Sequence, residues 1–183
     1  MFVLLLLSTA QATPCEEYAR PVLLARLRSP ELTESSGLAA SRVQDGVFYT
    51  HNDSGAGPRL YRFSLDGGAV ASFDLEGIGA RDWEDMASGP CPDEGNCLYI
   101  GDIGDNRRIR DRIQVAAFRE SHEGVDPKAV ASWSVRYPEG VRAQDSETLL
   151  VHPRTKRLYL VTKESREPSV FRFPRRPGEG DLE

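Results

Sequence analysis

Histidine and cysteine are scarce in this chain, three of each among 183 residues. Neither a histidine nor a second cysteine pair lies near Cys91 and Cys97 at ligand spacing, which argues against a thiolate or imidazole zinc site. No Gly-x-Ser-x-Gly turn is present to carry a serine nucleophile. Gly77-Ile78-Gly79-Ala80-Arg81-Asp82 begins like a dinucleotide fingerprint but lacks the last glycine and a βαβ setting. After the N-terminus no run approaches the roughly 20 apolar residues that a membrane helix needs. An excess of one charge is also missing. Lys and Arg number 23 against 28 Asp and Glu, a formal −5 with interspersed signs, which argues against a general nucleic-acid binder. The one basic run, Arg107-Arg108-Ile109-Arg110-Asp111-Arg112, reads first as a solvated loop.

What is present begins with an address. Phe2 to Leu7 is an apolar core too short to span a bilayer, and Ala10-Gln11-Ala12 has the small residues of a cleavage site. Residues 1–12 therefore read as a secretory signal cleaved after Ala12, and the mature protein as secreted or periplasmic. The positive n-region is missing, so the assigned start is expected to lie downstream of the true one. Ala12-Thr13-Pro14-Cys15 lacks the pattern of a lipid-anchor site. An exported chain permits disulfides, and Cys91 and Cys97 flank a five-residue turn where a hairpin bridge fits, leaving Cys15 over.

The most informative feature is a repeat. Ser36-Gly37-Leu38-Ala39, Glu84-Asp85-Met86-Ala87 and Glu147-Thr148-Leu149-Leu150 correspond, and each precedes a β-rich run with a central tyrosine. From Leu38, Met86 and Leu149 to Tyr49, Tyr99 and Tyr159 the offsets are 11, 13 and 10. Third runs follow at Leu60–Phe63, Val115–Phe118 and Val170–Phe173, and fourth runs at Val70–Phe73 and Val130–Trp133. Units of roughly 50 to 60 residues with four short strands predict an all-β fold of β-propeller blades, each a four-stranded antiparallel sheet. The expected blades cover 37–75, 84–137 and an incomplete 146–173 within a domain spanning 13–183. Propellers have about four to eight blades, so the chain reads as a truncated propeller of about three. The run Val22–Leu27 is expected to be a lone fourth strand, and Pro174–Asp181 an inter-strand loop cut short. Coincidental strand spacing in another all-β domain is the alternative.

In a blade the start of the first strand and the end of the second lie on one face. Strand-one starts carry Glu34, Glu84, Asp85, Asp145 and Glu147; strand-two ends carry Asp53, Asp102, Asp105 and Glu164. The expected result is an acidic ring of hard oxygen donors suited to Ca²⁺, with Asp53, Glu84, Asp85, Asp102, Asp105 and Glu147 as the candidate ligands. Each of these residues is also a natural turn cap. The loop Gly101-Asp102-Ile103-Gly104-Asp105-Asn106 runs into the basic stretch, so Arg107 and Arg108 are candidates to meet an anionic substrate, phosphate esters first. His51 in Thr50-His51-Asn52-Asp53-Ser54 is the candidate general base. Asn52-Asp53-Ser54 also fits a glycosylation sequon.

These segments resemble a known group. Ser36-Gly37-Leu38-Ala39, Asn52-Asp53-Ser54-Gly55, Asp82-Trp83-Glu84-Asp85-Met86-Ala87 and Asp145-Ser146-Glu147-Thr148-Leu149 with Thr162-Lys163-Glu164 look like blade motifs of bacterial exported propellers of the esterase-like phytase type. They are more distantly similar to gluconolactonase and TolB-like six-bladed propellers. The resemblance covers residues 33 to about 173 and lacks about half the expected blades. It implies a calcium-dependent hydrolase of small phosphate esters or lactones, with Glu84, Asp102 and Glu147 on the metal, which activates water or polarises the substrate. A non-catalytic extracytoplasmic module with a protein ligand or structural role is the competing expectation.

Overall fold

The computed structural model describes residues 19–183. The expected signal segment, its cleavage after Ala12 and Cys15 lie outside the described residues. Among the described residues there is no helix, hence none that could cross a membrane. Twelve strands form three sheets. The first holds β1 (Ser35–Ala40), β2 (Val47–Asn52), β3 (Arg59–Ser64) and β4 (Ala71–Asp74) in that order. The second holds β5 (Trp83–Pro90), β6 (Asn96–Asp102), β7 (Ile113–Ser121) and β8 (Gly124–Arg136), and the third β9 (Ser146–Val151), β10 (Leu158–Thr162) and β11 (Val170–Arg172). Successive strands within each sheet are antiparallel neighbours.

The sheets stack through their first strands, β1 against β5 and β5 against β9. The middle sheet is thereby covered on both faces, and its sequence shows why. Side chains alternate across a strand, and β6 is apolar in both registers. Leu98 and Ile100 join Tyr49, Leu60, Trp83 and Met86 in one core, while Cys97 and Tyr99 join Val115, Trp133, Leu149 and Leu160 in the other. Gly89 keeps the second seam close, since a Cβ there would stand 2.5 Å from Val151 Cγ1.

Two segments depart from the sequence expectation. The run Val22–Leu27 belongs to no sheet; Val22, Leu23 and Leu24 are exposed, and Ala25 lies against the β3–β4 turn at Gly67. A strand exists only where an edge supplies its hydrogen-bond partners, and no described edge receives this run. The tail, by contrast, is not a loop. Gly178–Asp181 forms β12, parallel to β8, with Gly178 opposite Trp133 and Asp181 opposite Arg136. The long outer edge of β8 templates it, and Leu182 is buried behind it.

Cys91 and Cys97 are bonded across the β5–β6 hairpin, with Cα atoms 5.0 Å apart. Cys91 N–H donates to Gly95 O, and both cysteines are fully buried. Closing so short a loop is worth about 2 kcal/mol in the chain-entropy account. Reduction or a Cys91→Ser, Cys97→Ser double substitution is expected to lower stability by about that amount, read by urea unfolding with and without reductant. Identical midpoints would mean that the bond does not form in the folded protein.

Candidate functional site

The three sheets repeat one local irregularity. Opposite the end of the second strand, the first strand carries one extra residue: between Ser35 and Leu38 in the first sheet and between Trp83 and Asp85 in the second. In the third sheet it falls between Ser146 and Thr148, opposite Val161 and Thr162. The extra residues in the second and third sheets are Glu84 and Glu147. A bulge breaks the strict alternation and re-aims a side chain. Here it turns both glutamates toward the sheet end, where the carboxylates gather.

Carboxylate oxygens of Asp53, Asp82 and Glu84 lie within 4.8 Å of one another, and so do those of Glu84, Asp145 and Glu147. Glu84 belongs to both groups. Burial, and then the charges of Glu147, Asp53, Asp82 and Asp145, push its pKa up to about 8. Asp82 is raised too, chiefly by burial and then by Asp53. Lys163 donates to Glu147 Oε1 at 2.6 Å and partly offsets the charge. The loop after β6 passes directly over the cluster. A Cβ at Gly104 would stand 2.3 Å from Glu84 Oε1 and 2.7 Å from Asp82, so only glycine leaves this space open.

Of the six ligands expected from sequence, the structure brings Asp53, Glu84 and Glu147 together and engages the other three elsewhere. Asp85 points to the opposite side of β5, where Oδ2 accepts the Leu149 N–H at 2.8 Å. Asp102 Oδ1 accepts from Arg110 Nη1 at 2.7 Å and from the Asp82 N–H at 3.1 Å. Asp105 Oδ2 accepts the Arg110 N–H, and its own N–H donates to Asp145 Oδ1, both at 2.7 Å. Asp82 and Asp145 were outside the expected ligand set. Each stands two residues before a bulge glutamate, so the repeated Asp-x-Glu of Asp82-Trp83-Glu84 and Asp145-Ser146-Glu147 is the signal that would have found them.

His51 is fully buried, its Nδ1 2.8 Å from Asn52 O and its ring edge-on to Trp83 at 5.3 Å. Desolvation lowers its pKa, and its ring has no open face toward solvent. Gly37 makes room for it, since a Cβ there would stand 2.4 Å from Nε2. Asn52 is buried as well. Its side chain accepts from the Thr33 and Glu34 N–H groups and donates to Glu31 O, which leaves no accessible amide for a glycan.

The basic run is divided. Arg110 turns inward, Arg108 pairs with Glu164 at 2.6 Å, and Arg112 reaches Ser134 O and Glu179. Arg107 is exposed and lines an open groove of about 260 Å³ with Ser54, Arg81, Asp82, Asp105 and Asn106. Asp82 thus belongs to both the groove and the carboxylate cluster. No known family, curated protein or solved structure matches the chain.

Proposed function

We propose that this is an exported propeller-type protein whose Glu84-centred carboxylates hold a divalent cation, and that it hydrolyses a small phosphate ester or lactone in the adjoining groove. The observation that carries the reading is the pair of carboxylate groups that share Glu84, Asp53 with Asp82 on one side and Asp145 with Glu147 on the other, drawn from the strand ends of all three sheets. An all-oxygen donor set beneath a loop that passes close over it at Gly104 suits a hard cation, Ca²⁺ foremost. When bound, Ca²⁺ would supply Lewis-acid polarisation of the substrate oxygen. Arg107 and Arg81 offer the groove's positive charge to an anion. Asp82, raised by burial and shared between groove and cluster, takes the proton of the attacking water in place of the buried His51. Export is supported by the leader-like N-terminal sequence and by the Cys91–Cys97 bond.

A cation at ten times its Kd should stabilise the fold by about 1.4 kcal/mol. Calcium titration with a thermal-shift readout is expected to show this in the native chain and to lose it in Glu84→Ala. Hydrolysis of p-nitrophenyl phosphate or a simple lactone should require Ca²⁺ and fall at least about 100-fold in Asp82→Asn, the scale of a lost general base. No calcium response would remove the cation site. A calcium response without turnover would favour a binding module, which the burial of the one nearby imidazole also supports.

A further inference from the structure

Among the described residues, the stack ends in two open faces that are the two halves of a contact the chain already makes twice. Positions 38, 86 and 149 correspond in the repeat, as do 39, 87 and 150. Met86 and Leu149 are each 2% exposed, because each faces the preceding sheet; Leu38, their counterpart in the first sheet, is 59% exposed. Ala39 is 5% exposed, because it faces the following sheet; Leu150, its counterpart in the third, is 49% exposed. The cross-strand register places Leu38, Phe48 and Phe63 on the open face of the first sheet, with the two phenylalanine rings stacked at 5.9 Å. It places Leu150, Tyr159, Val161 and Val170 toward the open face of the third. Among the described residues the segment before β1 borders the first face at both ends, with Ala25 beside the β3–β4 turn at Gly67 and Glu31 O accepting from Tyr61 Oη, and Leu38 stays exposed between them and the β1 edge.

We propose that the occupant of both faces is a second copy of this chain, joined head to tail: the third sheet of each copy packs on the first sheet of the other, and the two contacts close a twofold ring. One molecule carries both halves of the repeated seam, so another copy presents to each open face the counterpart of the surface that its equivalents already bury. A heterologous contact either closes or propagates. Two copies supply six sheets, within the range of about four to eight at which such arrays close. The inference rests on the equivalence of the sheets and is independent of the cation.

The experiment is sedimentation velocity and native mass spectrometry of the purified protein at micromolar concentration, with Leu38→Asp and Leu150→Arg made separately. Both positions are exposed in the single chain, so each variant should keep its strand-rich circular dichroism and its Cys91–Cys97 link. The native chain is expected at twice the monomer mass and each variant alone at the monomer mass. An equimolar mixture of the two variants is expected to return to dimer, because the mixed pair contains one unaltered seam and one that joins Asp to Arg. A native monomer, an open-ended ladder of oligomers, a dimer indifferent to both substitutions, or a mixture that stays monomeric would each overturn the proposal.

Discussion

Arg110→Ala is expected to cost about 3 to 5 kcal/mol, the loss seen when one partner of a buried ion pair is removed. The Arg110 and Asp102 side chains are only 6% and 5% exposed, and their contact is 2.7 Å. Without the guanidinium, the Asp102 carboxyl is left in a buried site with the Asp82 N–H as its remaining donor, and Gly104 O loses its donor. The loop that roofs the carboxylates is tied down by these same bonds, so on the proposed cation reading the variant should lose any calcium response as well as stability. Arg110→Lys keeps a charge, but its ammonium sits on a different stem from the Arg110 Nη1 that donates to both Asp102 and Gly104 O, so it should recover only part of the loss. Urea unfolding measures the stability. A change below about 1 kcal/mol, typical of a surface ion pair, would show that Arg110 is solvated in solution.

Arg110 also marks where the sequence was opaque. The run from Arg107 to Arg112 has the composition of a solvated loop, and nothing in its spacing singles out the residue that folds back beneath Gly104. The strands were legible because three units share one pattern of apolar runs around Tyr49, Tyr99 and Tyr159, and the hairpin bond because Cys91 and Cys97 flank a short turn. The common end for strand-one starts and strand-two ends was legible as well: Ser35 faces Asn52, Trp83 faces Asp102 and Ser146 faces Thr162. Which carboxylates point inward at that end was not. A one-residue bulge inverts the alternation on which such a reading depends, and register is a property of paired strands rather than of one strand. Hence Asp85 was expected beside Glu84, whereas it serves the opposite seam. Val22–Leu27 and Gly178–Asp181 were misread for a related reason, since an edge elsewhere in the fold decides whether a short run pairs.

Glu84 should make the protein less stable as pH rises from about 4.5 to about 8 in the presence of a chelator. Its carboxyl, ordinarily near 4.5, is held up to about 8 in the folded protein, first by burial and then by the four neighbouring carboxylates. Between those two values the folded state binds more protons than the unfolded state, so stability falls with increasing pH and levels off above the folded value. Asp82, raised in the same direction, adds to the slope. Glu84→Gln removes the charge while keeping the shape. It should leave stability near pH 4.5 almost unchanged and raise it at pH 8 by about 2 to 3 kcal/mol once solvent screening is allowed for. On the proposed cation reading, millimolar Ca²⁺ should flatten the pH dependence of the native chain, because a cation held there would require deprotonated carboxylates, and should do little to the variant. Thermal or urea unfolding at several pH values, with chelator and with calcium, gives the four curves. Parallel pH dependence in the native and Gln forms would show that Glu84 titrates normally, and that the five carboxylates are not held as one charged cluster.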